Sequence, residues 1–361
     1  MAAWDPSKHP RLPKGHGDPS GEFISSIDIR KAPPYGGSNR RKLSEVAAVF
    51  DRGGPLEYEE KPGMSKVEKN KVKKNLEDAE AMMTEEVGYQ ISQERTGLDW
   101  YTSNVEQAFA ETSKHFPELA HDPEAQMMFT TIAGITSSSQ DPDENWSTAA
   151  KIYGYMKSNN EILGINPENG QLWPGGPSSA AKKTHLEMLN SMYQDMGLSG
   201  TVKWLLQEHS MQSLAMAREN AWGKYSSTKN FTKQDAGIQK AGFMIFGEKM
   251  GPFISNIHGV EIGESAIDRW ATRTFNRYFR RVADSSGKII DAPTDRQRPL
   301  AKGMFTKVAS KYGLIPKQGQ SVMWAFEQQL YNHMGAGSTD KSFVDGARMF
   351  DKWVEAGGQK P

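Results

Sequence analysis

From Leu76 to the C-terminus the apolar residues recur on a helical period of 3.6, and runs alternating with a period of two are almost absent. A chain patterned in this way buries its apolar stripes by packing helix on helix. The spacing predicts an acidic helical run over 77–94. It then predicts helices over 104–115, 123–136, 146–157, 180–196, 201–208, 211–217, 232–244, 249–257, 265–282, 300–312, 318–334 and 342–356. Trp146, Ala149, Ala150, Ile152, Tyr153 and Met156 are the clearest of these stripes. Residues 164–179 (GINPENGQLWPGGPSS) read as a loop. Only Lys288–Ile290, beside a Ser-Ser-Gly turn, reads as a short extended piece. The expected class is all-α.

Residues 1–75 differ. Gly, Pro, Ser, Lys and Arg dominate, with breakers at Pro33-Pro34, Gly36-Gly37 and Gly53-Gly54-Pro55, and only Leu43–Phe50 could make a helix. This composition predicts a disordered or extended arm over 1–75, followed by one helical domain over 76–361. Such an arm accounts for an apolar fraction of 37% and a mean hydropathy of -0.67 in a chain whose helical part is ordinarily apolar.

The absence of cysteine excludes disulfides, thiolate zinc sites, iron–sulfur clusters and a cysteine nucleophile. No apolar run reaches the roughly 18 residues of a membrane span, and the first residues lack a signal-peptide core, so a soluble protein with no membrane partner is expected. There is no phosphate-binding Gly loop; Gly175-Gly176 runs into Pro177. No HExxH occurs among the eight histidines, and no GxSxG. Neither a metal nor a cofactor is expected.

The net charge of zero is a sum over unlike segments. Residues 77–94 carry six acids and no Lys or Arg. Residues 266–312 carry eleven Lys and Arg against four acids, a net of seven positive charges. Within that block Arg269, Arg273, Arg277 and Arg281 recur every four residues, which reads either as a solvated helix face or as a phosphate-contacting ridge. Asp268 falls in the first turn of the same helix, where a carboxylate is favoured by the helix dipole whatever else it does.

The run Phe243–Phe279 (FMIFGEKMGPFISNIHGVEIGESAIDRWATRTFNRYF) resembles the core of the helix-hairpin-helix DNA glycosylases, the endonuclease III superfamily. In that family a GxGxK hairpin sets a lysine at a helix start, and an aspartate opens the next helix. Gly247-Glu248-Lys249 matches the hairpin, and Asp268 follows 19 residues later with Arg273, Asn276 and Arg277 in register. Upstream, Ile132–Lys157 is similar to a second family segment, with Gln140 at the position that probes the base stack and Asp141 after it. The two segments cover about sixty residues. Ile245 stands where the family has the first hairpin glycine, Trp270 where it usually has histidine, and Arg269 where threonine is common. The cluster cysteines are missing, as in the cluster-free branches. The opening HPRLPKG…GEF is similar to the N-termini of phage head-associated and virion-packaged proteins.

The resemblance implies a two-lobed helical bundle whose cleft lies between Gln140 and the pair Lys249 and Asp268. It implies a DNA glycosylase acting on a flipped, possibly modified base of duplex DNA, with Asp268 stabilising or activating at C1′ and Lys249 as nucleophile. Gln140, Gly247, Arg269, Arg273, Arg277 and Arg281 would contact DNA. Two alternatives stand beside it: a phage thymine-hypermodification transferase on the same scaffold, and a non-enzymatic virion-associated or DNA-binding phage protein. The location implied is the host cytoplasm, with packaging into a virion as a variant and virion components as further partners.

Overall fold

The computed structural model describes residues 42–51, 53–93, 97–138, 140–164, 179–222, 237–336 and 341–358. In chain order its helices are α1 (Leu43–Phe50), α2 (Lys66–Ile91), α3 (Trp100–Thr112), α4 (Pro123–Thr136), α5 (Pro142–Asn159) and α6 (Ser179–Leu206). They continue with α7 (Met211–Met216), α8 (Met250–His258), α9 (Arg269–Tyr278), α10 (Gln297–Lys311), α11 (Pro316–His333) and α12 (Phe343–Glu355). One small antiparallel sheet pairs β1 (Glu208–Ser210) with β2 (Gln239–Ala241), His209 facing Lys240. The described chain is therefore all-α in class, as the periodicity predicts. No described helix is long and apolar enough to cross a membrane.

Local chemistry sets the boundaries. Asp122 accepts from the backbone N–H groups of Glu124 and Ala125, and Pro123 opens α4 at the one position where a missing N–H does no harm. Pro142 does the same for α5, which ends on Asn160 in the left-handed region. A capping box joins Ser342 and Asp345 at the start of α12. Gly197, at φ 68° and ψ -176°, breaks α6 where the sequence separates a helix over 180–196 from one over 201–208.

The chain forms two compact units. The first takes residues 1–99 and 263–339; the second takes 100–262 and 340–361. In the first, α2, α9, α10 and α11 pack around Met83, Phe275, Phe279, Phe305 and Val322. In the second, α4 is central: it packs on α5, α6 and α8, while the C-terminal α12 closes over α3 and α5. Trp146, Phe129, Phe109, Tyr153 and Phe343 form its aromatic centre.

Two expectations need correction. The extended arm expected through residue 75 does not describe residues 42–75; residues 1–41 lie outside the described part. α1 buries Val46, Ala47, Val49 and Phe50, and Tyr58 packs edge-on to Phe275 and Phe279. A capping box between Ser65 and Glu68 starts α2 ten residues before the apolar period becomes visible. The helix expected over 232–244 is also absent from its described part. Residues 239–241 pair with β1, and Gly242–Phe246 form a 3-10 turn whose side chains are all buried. A Cβ at Gly242 would lie 2.2 Å from the Trp204 carbonyl, so the approach of this segment to α6 requires glycine. The loop expected over 164–179 falls largely outside the described residues.

Candidate functional site

In the first unit, the basic stripe of α9 is turned inward. Arg277 is 4% exposed and sits between carboxylates from two other helices. Its Nη1 and Nη2 donate to Glu86 of α2 at 2.9 and 2.7 Å, and its Nε donates to Glu327 of α11 at 3.0 Å. The Tyr278 hydroxyl donates to Glu86 as well. Burial opposes the guanidinium charge, yet Glu327 and Glu86 hold Arg277 protonated well above its ordinary range. Burial likewise raises Glu327, with Arg277 pulling the other way.

Arg273 is equally enclosed at 4% exposure. Its Nε donates to Asp291 at 2.7 Å, and its guanidinium lies over the Trp270 ring at 4.9 Å. Arg281 donates to the Leu56 carbonyl and to Glu57, and Arg269 lies 3.6 Å from Asp291. The four-arginine phosphate ridge expected from the spacing is thus corrected. Arg273 and Arg277 are held inside the unit, and Arg269 and Arg281 are paired at its surface. Trp270, where the family has histidine, packs edge-on to Tyr331. Asp268 is the N-cap of α9, accepting from the Ala271 N–H at 2.8 Å. The pattern DRWATRTFNR is therefore used in building this unit, with Asn276 accepting from the Gln297 side chain at 3.0 Å.

In the second unit, the hairpin residues take a different role. Gly247 has φ 102° and ψ 173°, a conformation closed to side-chain-bearing residues. Its N–H donates to the Met244 carbonyl and its own carbonyl accepts from Gly251, so the Gly247 amide is used within the turn rather than offered to a phosphate. Ile245 is 0% exposed, which explains an apolar residue where the family has glycine. Gly134 of α4 lets α8 approach, since a Cβ there would lie 2.2 Å from Ile254. This close approach sets Lys249, the N-cap of α8, beside the end of α4: Nζ donates to Ser138 Oγ at 3.3 Å. Gln140, two residues on, turns its amide toward Thr148 of α5 at 3.5 Å and buries its carbonyl oxygen. Lys341 bridges Asp141 and Asp143 at 3.1 and 3.2 Å, giving Asp141 a structural part.

Lys249 has a neighbour that the sequence reading passed over. Lys182 of α6 is 0% exposed, and its Nζ has no hydrogen-bond partner among the described residues. Burial, reinforced by the charge of Lys249 and opposed by that of Glu144, lowers it to about 8. One turn along α6, His185 is pushed down to about 4 by burial and by Arg218. Arg218 reaches His185 Nε2 at 3.4 Å and donates to the Ile245 carbonyl at 2.8 Å. Arg218 stands on a wide π turn, Ala217–Ala221, a distortion frequent at functional positions. A signal was present: Lys182 occupies the apolar stripe of α6 with Leu186 and Leu189.

Among the described residues, no group of three or more His, Cys, Asp or Glu is placed to hold a metal ion. Fold and site together define an all-α protein of two helical units with a cluster of basic side chains at the α4–α6–α8 junction of the second. Comparison with protein-family models, with curated proteins and with solved structures finds no significant match.

Proposed function

We propose that the chain acts on DNA as a glycosylase-like enzyme, with Lys249 as its amine nucleophile and Asp268 as its essential carboxylate. The observation that carries this reading is the contact of Lys249 Nζ with Ser138 Oγ. The upstream segment and the hairpin end of the downstream one, far apart in the chain, meet there within the second unit. A lysine at a helix start, set on a glycine-only turn and backed by a second lysine, is a suitable origin for a nucleophilic amine.

In the proposed reaction the neutral Nζ adds to C1′ as the C1′–N bond breaks. The electron pair leaves with the base, which takes one proton from the nitrogen. The sugar opens at C1′–O4′, O4′ takes the second proton, and a C1′ imine to Lys249 results. A carboxylate beside C1′ stabilises the positive charge that develops there. The burial of Arg273 and Arg277 removes them from the proposed DNA contacts.

The test incubates the full chain with duplexes carrying uracil, 8-oxoguanine, alkylated or hydroxymethylated bases, followed by borohydride. Base release with a trapped adduct is expected, both lost in Lys249→Ala. Asp268→Asn should lose base release while folding normally, because Asn caps a helix as well as Asp. Duplex binding with neither product nor adduct on any substrate would leave only a DNA-binding role and overturn the enzymatic reading.

A further inference from the structure

The charges of α2 run in the wrong direction for a helix. Lys66, Lys69, Lys71, Lys73 and Lys74 crowd residues 66–74 against one acid, Glu68, which is engaged in the capping box with Ser65. Glu77, Asp78, Glu80 and Glu85 follow, with no Lys or Arg over 77–85. The helix dipole favours acids in the first turn and cations in the last, and this order opposes it. Lys73 and Lys74 lie 3.8 and 3.7 Å from Glu77 and Asp78, in the lysine-first order that supports a helix less well. The acids of α2 have a use in the fold. Glu80 receives Lys307 and Lys311 of α10, and Glu86 holds Arg277. The lysines have no such use. Lys69, Lys73 and Lys74 keep side-chain exposures of 48%, 76% and 74% in pairs that contribute little to stability. Lys66 and Lys71 are exposed, with no acid within 4.0 Å among the described residues. Charge that disfavours its own helix and that the fold does not use points to a partner.

The chemistry of that partner follows from both sides of α2. Val72, Ala79, Met83 and Val87 are buried, so the apolar side of the helix is already taken by the first unit. A helix lying in a membrane must give that side to the lipid. What remains outside is a fixed basic rod. Lys66, Lys69 and Lys73 follow the i, i+3, i+7 spacing of one stripe, about 10 Å long at 1.5 Å per residue. An extended polyanion matches it. We propose that the lysine-rich first half of α2 is a docking surface for the phosphate backbone of duplex DNA. The surface rests on the reading above for the identity of its partner, while Lys249 and Asp268 have no part in it.

Fluorescence anisotropy of the full chain with a labelled duplex, between about 50 and 200 mM salt, tests the proposal. The logarithm of the native binding constant should fall linearly with the logarithm of the salt concentration. A variant combining Lys66→Gln, Lys69→Gln, Lys71→Gln and Lys73→Gln should bind at least tenfold more weakly at the low-salt end. Its slope should be shallower by about 2–4, and the loss should be the same on duplexes of different sequence. Glutamine keeps the helix propensity and takes two cations out of the first turn, so this variant should melt no lower than the native chain. Lys203→Gln, an exposed lysine of the second unit, should leave the slope unchanged. Native affinity and slope in the fourfold variant would overturn the proposal. Lysine-dependent binding to phosphatidylserine vesicles with no duplex binding would overturn it in favour of a membrane. A shallower slope in the variant, with no base release or borohydride adduct from the native chain, would sink the reaction and keep the surface. An adduct together with a native slope in the variant would do the reverse, and no duplex binding by the native chain would overturn both.

Discussion

At the residue scale, two buried cations are handled in opposite ways. Arg277 is charged and fully compensated, so removing it leaves Glu86 and Glu327 buried and facing each other. Arg277→Met should cost about 3–5 kcal/mol in a denaturant titration at neutral pH. The loss should be smaller in mild acid, where Glu327, already raised by burial, takes up a proton. Lys182 is buried with no hydrogen-bond partner for its Nζ among the described residues. Its folded value of about 8 lies below the unfolded value of 10.5, so between these pH values the unfolded chain holds the extra proton. Stability therefore rises with pH through this window, by about 3 kcal/mol at most. The native-minus-Lys182→Met difference in stability, measured from pH 7.5 to 10.5, should show this rise; a flat difference would contradict the burial. His185 works in the same direction lower down. Its stabilising neutral form is favoured above the unfolded value of 6.5 and is lost as pH falls toward about 4.

At the element scale, the sequence reveals periodic stripes better than it reveals which side of a charged helix faces inward. α4 is predicted to the residue, because Asp122-Pro123 marks its start and its apolar period is unbroken. α9 is found too, but its arginine spacing reads as a surface ridge. The acids that enclose Arg277 come from α2 and α11, 191 and 50 residues away in sequence, and no local pattern announces them. The segment before the hairpin misleads for a related reason. Its apolar run is short enough to be helix or strand, and pairing with β1 decides the matter for residues 239–241. The placement of Lys249 rests on the close contact between α4 and α8. Gly134→Ala should cost about 1–3 kcal/mol by overpacking against Ile254. The double substitution with Ile254→Ala should be more stable than additivity of the two single changes predicts.

At the scale of the whole molecule, the zero net charge gains a physical meaning. Much of the basic block over 266–312 is answered by acids from the N-terminal third of the chain. Lys307 and Lys311 reach Glu80, Arg296 reaches Glu59, Arg281 reaches Glu57 and Arg277 reaches Glu86. Two features that read separately as an acidic helix and a nucleic-acid surface are the two halves of one packed unit. The second unit has basic side chains of its own in Lys182, Lys249 and Arg218. That unit also depends on the end of the chain, since α12 buries Phe343 and Phe350 against α3 and α5. Truncation after residue 340 should therefore unfold the second unit, seen as lost protection from hydrogen exchange across α5.

The most direct measurement is the identity of the residue that carries a borohydride-trapped DNA adduct, read by mass spectrometry of the digested protein. The adduct is expected on Lys249. An adduct on a surface lysine elsewhere, or none on any modified duplex that the protein binds, would contradict an amine site at the α4–α8 contact.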